Sequence, residues 1–210
     1  MKIGIYGGSF NPIHFGHIGL AKWVIDNTDL DELWLMVSPN NPLKDKSILA
    51  DENERLEKAK EAIKLLDDEA KGKIVVSDFE FHLPCPNYTA NTLRALTQQY
   101  PEHEFTLIIG EDNLDIFHKW KEYQYILDNF RVFVYPRHCP NNTNDISQQR
   151  KAILQDAKHI KHLTTAPFLI FLQQNYEKIC KIKIYFVSLQ SKVILYQENS
   201  ITKYLLLTIN

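Results

Sequence analysis

Apolar and polar positions along this chain fall into blocks, and the spacing inside the blocks switches between the periods of a strand and a helix. Residues 2–6, with Ile3 and Ile5, form a short apolar window that stops at Gly7-Gly8 and predicts a buried strand. Residues 14–27 carry helical spacing, with Leu20 and Val24 on one face. The run Leu33-Trp34-Leu35-Met36-Val37 predicts a second strand, ended by the breaker cluster Ser38-Pro39-Asn40-Asn41-Pro42, and a charged helix follows over about 51–66. The unit then repeats. Strands are expected at 73–77, 104–109, 130–135 and 159–163, and helices at 89–100 and 145–156.

Strands alternating with helices at this spacing require crossover connections, which give a parallel sheet covered on both faces. The expected fold class is therefore α/β, a doubly wound parallel sheet in a single domain, residues 1–167, followed by a tail, 168–210, of different character. In such a sheet the ligand lies beyond the carboxyl ends of the strands. Four strand ends carry residues suited to that position: Gly7-Gly8-Ser9, Ser38-Pro39, Gly110-Glu111-Asp112 and Pro136-Arg137-His138.

Composition narrows the picture. With 44% hydrophobic and 24% charged residues among 210, the chain reads as an ordinary globular protein able to bury a core. A net charge of -2 argues against a protein that coats nucleic acid. The apolar stretch 168–172 is far shorter than the ~20 residues that cross a bilayer. No membrane span is expected, and the N-terminus lacks the order of segments of a secretory signal, so the expected location is cytoplasmic. Cys85, Cys139 and Cys180 are widely spaced, lack metal-ligand spacing, and read as reduced bystanders. No sequence feature indicates an oligomeric state.

The segment Gly7-Gly8-Ser9-Phe10-Asn11-Pro12-Ile13-His14-Phe15-Gly16-His17 carries the most chemistry. Two glycines let the backbone turn sharply and approach a ligand. Ser9 adds a hydroxyl, and the helix start behind it offers unpaired N–H groups and the positive end of a dipole, which favour phosphate. His14 and His17 are spaced i, i+3, so both imidazoles can face that phosphate. Either histidine alone reads as well as a core or solvated side chain; the pair, after a strand and a Gly-Gly-Ser loop, reads as a phosphate contact.

This run resembles the signature of the His-x-Gly-His adenylyl- and cytidylyltransferases, Gly-Gly-Ser-Phe-Asp-Pro-x-His-x-Gly-His, with Asn11 in place of Asp. The chain over residues 1–167 is similar to the bacterial nicotinate mononucleotide adenylyltransferases, which implies a Rossmann-like nucleotidyltransferase fold. His14 argues against the phosphopantetheine branch, which usually has Thr there. Further matches are Ser38-Pro39-Asn40-Asn41-Pro42-Leu43-Lys44, Tyr88-Thr89-Ala90-Asn91-Thr92-Leu93, and Ile109-Gly110-Glu111-Asp112-Asn113 followed by Trp120. At Leu43 many members have His. The resemblance implies adenylyl transfer from ATP to nicotinate mononucleotide, in NAD biosynthesis, with Mg2+ carried on the ATP. It implies His14, His17 and Lys44 as catalytic groups, and Gly7, Gly8, Ser9, Phe10, Gly110 and Asp112 around the nucleotide. Thr89, Trp120 and Arg137 would contact the acceptor. Each has a plainer reading beside it: a surface lysine at Lys44, a helix cap at Thr89 or Asp112, a core ring at Trp120. Arg55, on the charged helix, reads as solvated.

After Ala166 the composition shifts: the last 44 residues contain no Gly, Ala, Asp, His or Arg. The family's second signature, Ile-Ser-Ser-Thr-x-x-Arg, is missing. Synonymous codons for Ile170-Phe171-Leu172-Gln173-Gln174-Asn175-Tyr176-Glu177 (ATA-TTT-CTT-CAA-CAA-AAC-TAC-GAG), read from the third base, spell Ile-Ser-Ser-Thr-Lys-Leu-Arg. A frameshift shortly before Ile170 is therefore expected, the alternative being a divergent tail from an AT-rich gene. An inactive nucleotide-binding relative, or a transferase with another acceptor, are the competing functional readings.

Overall fold

The computed structural model describes residues 1–39, 51–136, 159–164 and 166, and the backbone of residues 192–193 and 207–208. The chain forms two compact units, Met1–Leu169 and Ile170–Asn210. In the second, β7 (Lys192–Val193) pairs antiparallel with β8 (Leu207–Thr208).

The first unit is built on six strands: β1 (Lys2–Gly8), β2 (Glu32–Val37), β3 (Ile74–Ser77), β4 (Glu104–Gly110), β5 (Arg131–Tyr135) and β6 (Ile160–His162). All neighbouring pairs are parallel, in the order β3-β2-β1-β4-β5-β6. That is the expected doubly wound sheet. The order reverses between β1 and β4, which makes their carboxyl ends the switch point where such sheets hold ligands.

The strands are apolar on both faces because helices cover both. On one side Tyr6, Leu33, Leu35, Ile108 and Phe133 pack against α1 (Phe15–Asn27) and α2 (Glu52–Ile63). On the other, Ile3, Ile5, Leu107, Ile109 and Val134 pack against α4 (Thr89–Gln99) and α6 (Tyr123–Asn129). The short helices α3 (Asp68–Lys71) and α5 (Glu111–Asp115), and 3-10 turns at Phe79–His82 and Phe117–Lys119, complete the described elements. Of the expected elements, the helix at 145–156 lies outside the described residues.

The main departure is at β1, which runs through Gly8 rather than stopping at Tyr6. Gly7 and Gly8 stay in register with Met36 and Val37 of β2 and do not form the turn expected of them. No described glycine has a positive φ; the left-handed residue is Phe10, whose φ is 43°, and the turn follows at Asn11-Pro12. A left-handed phenylalanine costs about 1–3 kcal/mol. Burial of its ring, 3% exposed against Tyr6 and His17, offsets that cost.

Candidate active site

Gly8 lies tight against the phenyl ring behind it. A Cβ there would meet the Phe10 ring at 3.2 Å, whereas a Cβ at Gly7 would meet no atom of the described residues within 4 Å, its chain neighbours aside. Gly8 therefore serves close approach to the ring, while Gly7 leaves room beside the strand end among the described residues. They line a cavity of about 200 Å³ together with Tyr6, Ser38, Gly110, Thr89, Trp120 and Tyr135. The cavity lies at the carboxyl ends of β1, β2, β4 and β5, across the switch point.

His14 is the N-cap of α1, with an extended backbone, and His17 stands in the first turn. The two imidazoles stack with centroids 3.5 Å apart and planes 19° from parallel. The His14 backbone N–H donates to Nδ1 of His17 at 3.2 Å. An accepting Nδ1 carries no proton, so the ring proton of neutral His17 sits on Nε2 as a donor. The pair is not on the cavity wall itself. It adjoins the wall through Tyr6, whose ring centroid is 6.3 Å from that of His17.

Beneath the cradle lies Arg55, and here the sequence reading is corrected: the side chain is not solvated but 1% exposed. Its guanidinium donates to the backbone oxygens of Ser9 at 2.6 Å, Ser38 at 2.8 Å and Pro39 at 3.2 Å. Burial lowers its pKa, partly opposed by Glu52 and Asp51. One cation thus joins the loop after β1 to the loop after β2. Ser9 turns its carbonyl to this arginine, and Phe10 is packed inside; neither side chain lines the cavity.

On the opposite wall Thr89 is the first residue of α4 and Tyr88 is the N-cap, so the capping alternative for Thr89 does not hold. The capping alternative for Asp112 fails likewise: Gly110 is the N-cap of α5, and Asp112 accepts from the Asn113 amide at 3.4 Å. Asn113, rather than Asp112, lines the cavity. Trp120 is half-buried against Phe117, centroids 4.9 Å apart, and its buried Nε1 has no hydrogen-bond partner among the described residues. Lys119 and Lys121 flank it on the cavity wall, with Lys121 Nζ 4.9 Å from the centre of the Tyr88 ring. Lys44 and Arg137 lie outside the described residues.

The sequence reading overlooked Glu80, a cavity-lining acid 7% exposed. Its carboxylate accepts from the Ser38 hydroxyl at 2.5 Å and the Thr92 hydroxyl at 2.8 Å. Its own backbone oxygen accepts from the Asn87 amide at 2.9 Å. Burial pushes its pKa up, and the two hydroxyls oppose that rise. An acid flanked by Phe79 and Phe81, both partly buried in the cores on either side of the sheet, was the signal in the sequence.

Among the described residues no group of three or more His, Cys, Asp or Glu side chains is placed to hold a metal ion. No described helix is long and apolar enough to cross a membrane.

A parallel sheet in this strand order, with a glycine-lined cavity at its switch point, is the fold of the nucleotidyltransferase class. The cytidylyltransferase-like family model matches residues 5–183. A protein of Flavobacterium psychrophilum named "Probable nicotinate-nucleotide adenylyltransferase" is 49% identical over 149 residues, 71% of this chain and 73% of that one. One of the same name from Bacteroides fragilis is 47% identical over 147 residues, 70% of each. Among solved structures, the nicotinic acid mononucleotide adenylyltransferase of Plasmodium falciparum complexed with NaAD superposes with a TM-score of 0.65. It is 21% identical over 77% of this chain and 74% of that one, a likeness of fold. The chain belongs to the cytidylyltransferase-like family and, within it, to the nicotinate-nucleotide adenylyltransferases.

Proposed function

We propose that this chain transfers the adenylyl group of ATP to nicotinate mononucleotide, giving deamido-NAD and pyrophosphate, as a step of NAD biosynthesis in the cytoplasm. A phosphate oxygen of the mononucleotide attacks the α-phosphorus of ATP in line, the bond to the bridging oxygen breaks, and pyrophosphate leaves with that electron pair. No protein nucleophile is needed, so catalysis consists of positioning and charge stabilisation. The observation that carries the reading is the stacked histidine pair near the cavity-lining Gly7-Gly8 strand end. His17, with its proton on Nε2, would donate to a phosphate oxygen as charge builds, with His14 beside it and Lys44 as a mobile cation. Magnesium would arrive as part of the ATP substrate, held by phosphate oxygens and water. Gly110 and Asp112 would stand near the nucleotide, and Trp120 would stack the pyridine with Thr89 and Arg137 toward the acceptor.

The test is pyrophosphate release from ATP and nicotinate mononucleotide. His17→Ala is expected to lower kcat about 100-fold or more while ATP affinity changes less than about threefold. Equal losses in both, or no release from the unaltered protein, would sink the proposal.

A second reading concerns the tail. Alignments with the curated relatives named above span 71% and 70% of this chain, and the tail lacks the Ile-Ser-Ser-Thr-x-x-Arg signature. We infer a frameshift before Ile170, which would leave nucleotide binding with an incomplete grip on the triphosphate. Codons 160 to 180 that spell the signature in neither other frame rule this out. ATP binding without turnover is its functional mark.

A further inference from the structure

Ser38 spends all three of its hydrogen-bonding groups at one point between the two walls of the cavity. Its N–H donates to the Gly8 carbonyl at 2.9 Å, tying the end of β2 to the glycine cradle on β1. Its carbonyl accepts from Arg55, which also holds Ser9. Its hydroxyl donates to Glu80, whose other carboxylate oxygen takes the hydroxyl of Thr92 on α4. A continuous chain of hydrogen bonds therefore runs from the cradle, through half-buried Ser38 and buried Glu80, to the helix that begins at Thr89 on the opposite wall.

An acid in this position is costly. Glu80 is buried and has no cationic partner among the described residues; apolar packing would hold the same volume without the desolvation. A carboxylate does what apolar packing cannot, since it accepts from two hydroxyls on different elements at once. In-line transfer demands a fixed separation between the attacking oxygen and the α-phosphorus, and a misplacement of about 1 Å costs up to 100-fold in rate.

We propose that Glu80 is a positioning residue that sets the distance between the two substrates by locking the β1–β2 cradle to α4 through Ser38 and Thr92. The inference rests on the adenylyl-transfer reading and assigns Glu80 no contact with the reacting atoms.

Thr92→Val removes the hydroxyl and keeps the volume, whereas Thr92→Ser keeps the hydroxyl and loses a methyl group. Steady-state kinetics with both substrates varied should show kcat about tenfold lower in Thr92→Val, KM for ATP within about twofold of the parent, and Thr92→Ser near parental rates. Ser38→Ala should lose about as much as Thr92→Val, and the double variant no more than either alone, because each cuts the same connection. Parental kcat in Thr92→Val, equal losses in Thr92→Ser, or losses that multiply toward 100-fold overturn the proposal. Should Thr92→Val fail to fold, Ser38→Ala at the half-buried serine gives the same comparison. If the unaltered protein shows no turnover, the functional reading fails separately, and hydrogen exchange then decides on the connection. ATP should slow exchange in the first turn of α4 in the parent and not in Ser38→Ala; equal slowing in both overturns it.

Discussion

Arg55 sits on a helix whose sequence, Glu52-Asn53-Glu54-Arg55-Leu56-Glu57-Lys58-Ala59-Lys60-Glu61-Ala62-Ile63, is mostly charged, and in that setting an arginine passes for a surface residue. Its spacing says otherwise, because Arg55, Ala59 and Ile63 recur every four residues and all three are buried. The three carbonyls it satisfies belong to loops distant in sequence, a pattern that no local reading of residue types reveals. Arg55→Ala should destabilise the protein by about 3 kcal/mol or more, as buried acceptors lose a charged donor. Arg55→Lys should recover part of that, since a single ammonium cannot span the carbonyls as a planar fork does. Urea unfolding of the two variants measures both, and equal stability of Arg55→Ala and the parent would contradict the clamp. That His14 and His17 share a face, by contrast, was legible from their i, i+3 spacing, because the helix start fixes which residues lie together.

At the scale of elements, the long strands and helices followed from hydrophobic period, and the errors gather where a short segment carries too few residues to show one. The helices α5 and α6, of five and seven residues, fall in this class, as does the four-residue α3. The end of β1 is a different matter. Glycine pairs suggest a turn, yet pairing with β2 keeps Gly7 and Gly8 extended and passes the left-handed backbone to Phe10 and the turn to Asn11-Pro12. Two substitutions separate the roles of this strand end. Gly7→Ala adds a methyl group that meets no atom of the described residues beyond its chain neighbours, so stability should stay within about 1 kcal/mol, while KM for ATP rises severalfold if the nucleotide lies there. Gly8→Ala places its Cβ against the Phe10 ring, which packs edge-on to His17 at 5.1 Å. It should lower both thermal stability and kcat. Thermal melts beside ATP titrations distinguish the two, and identical behaviour would refute the division.

Over the whole molecule, the two edges of the sheet have separate tasks. The carboxyl edge holds the cavity, while at the amino edge Asp29 bridges Lys2 of β1 at 2.7 Å and Arg131 of β5 at 2.9 Å. Hydrogen bonds from Lys2, then from Arg131, hold the Asp29 carboxyl down at about 2, below its ordinary 3.8. An acid so lowered stabilises the fold at pH values above its unfolded pKa, and that stability is lost as pH falls through about 2. Asp29→Asn should therefore be less stable than the parent near neutrality, and the gap should close between pH 4 and pH 2. With the Asp29 side chain 45% exposed to solvent, the effect is under about 1 kcal/mol. Urea midpoints across that pH range give the comparison, and a gap unchanged down to pH 2 would exclude it. The bridge lies far from the cavity, so turnover at neutral pH should be unaffected. The same polarity gives the molecule an internal ruler. Met1 is 52% exposed at the amino end of β1, and the seven residues of that strand, at ~3.3 Å each, put roughly 20 Å between it and the glycine cradle. A dye placed at residue 1 would then report the arrival of a fluorescent ATP analogue by energy transfer, leaving the carboxyl edge untouched.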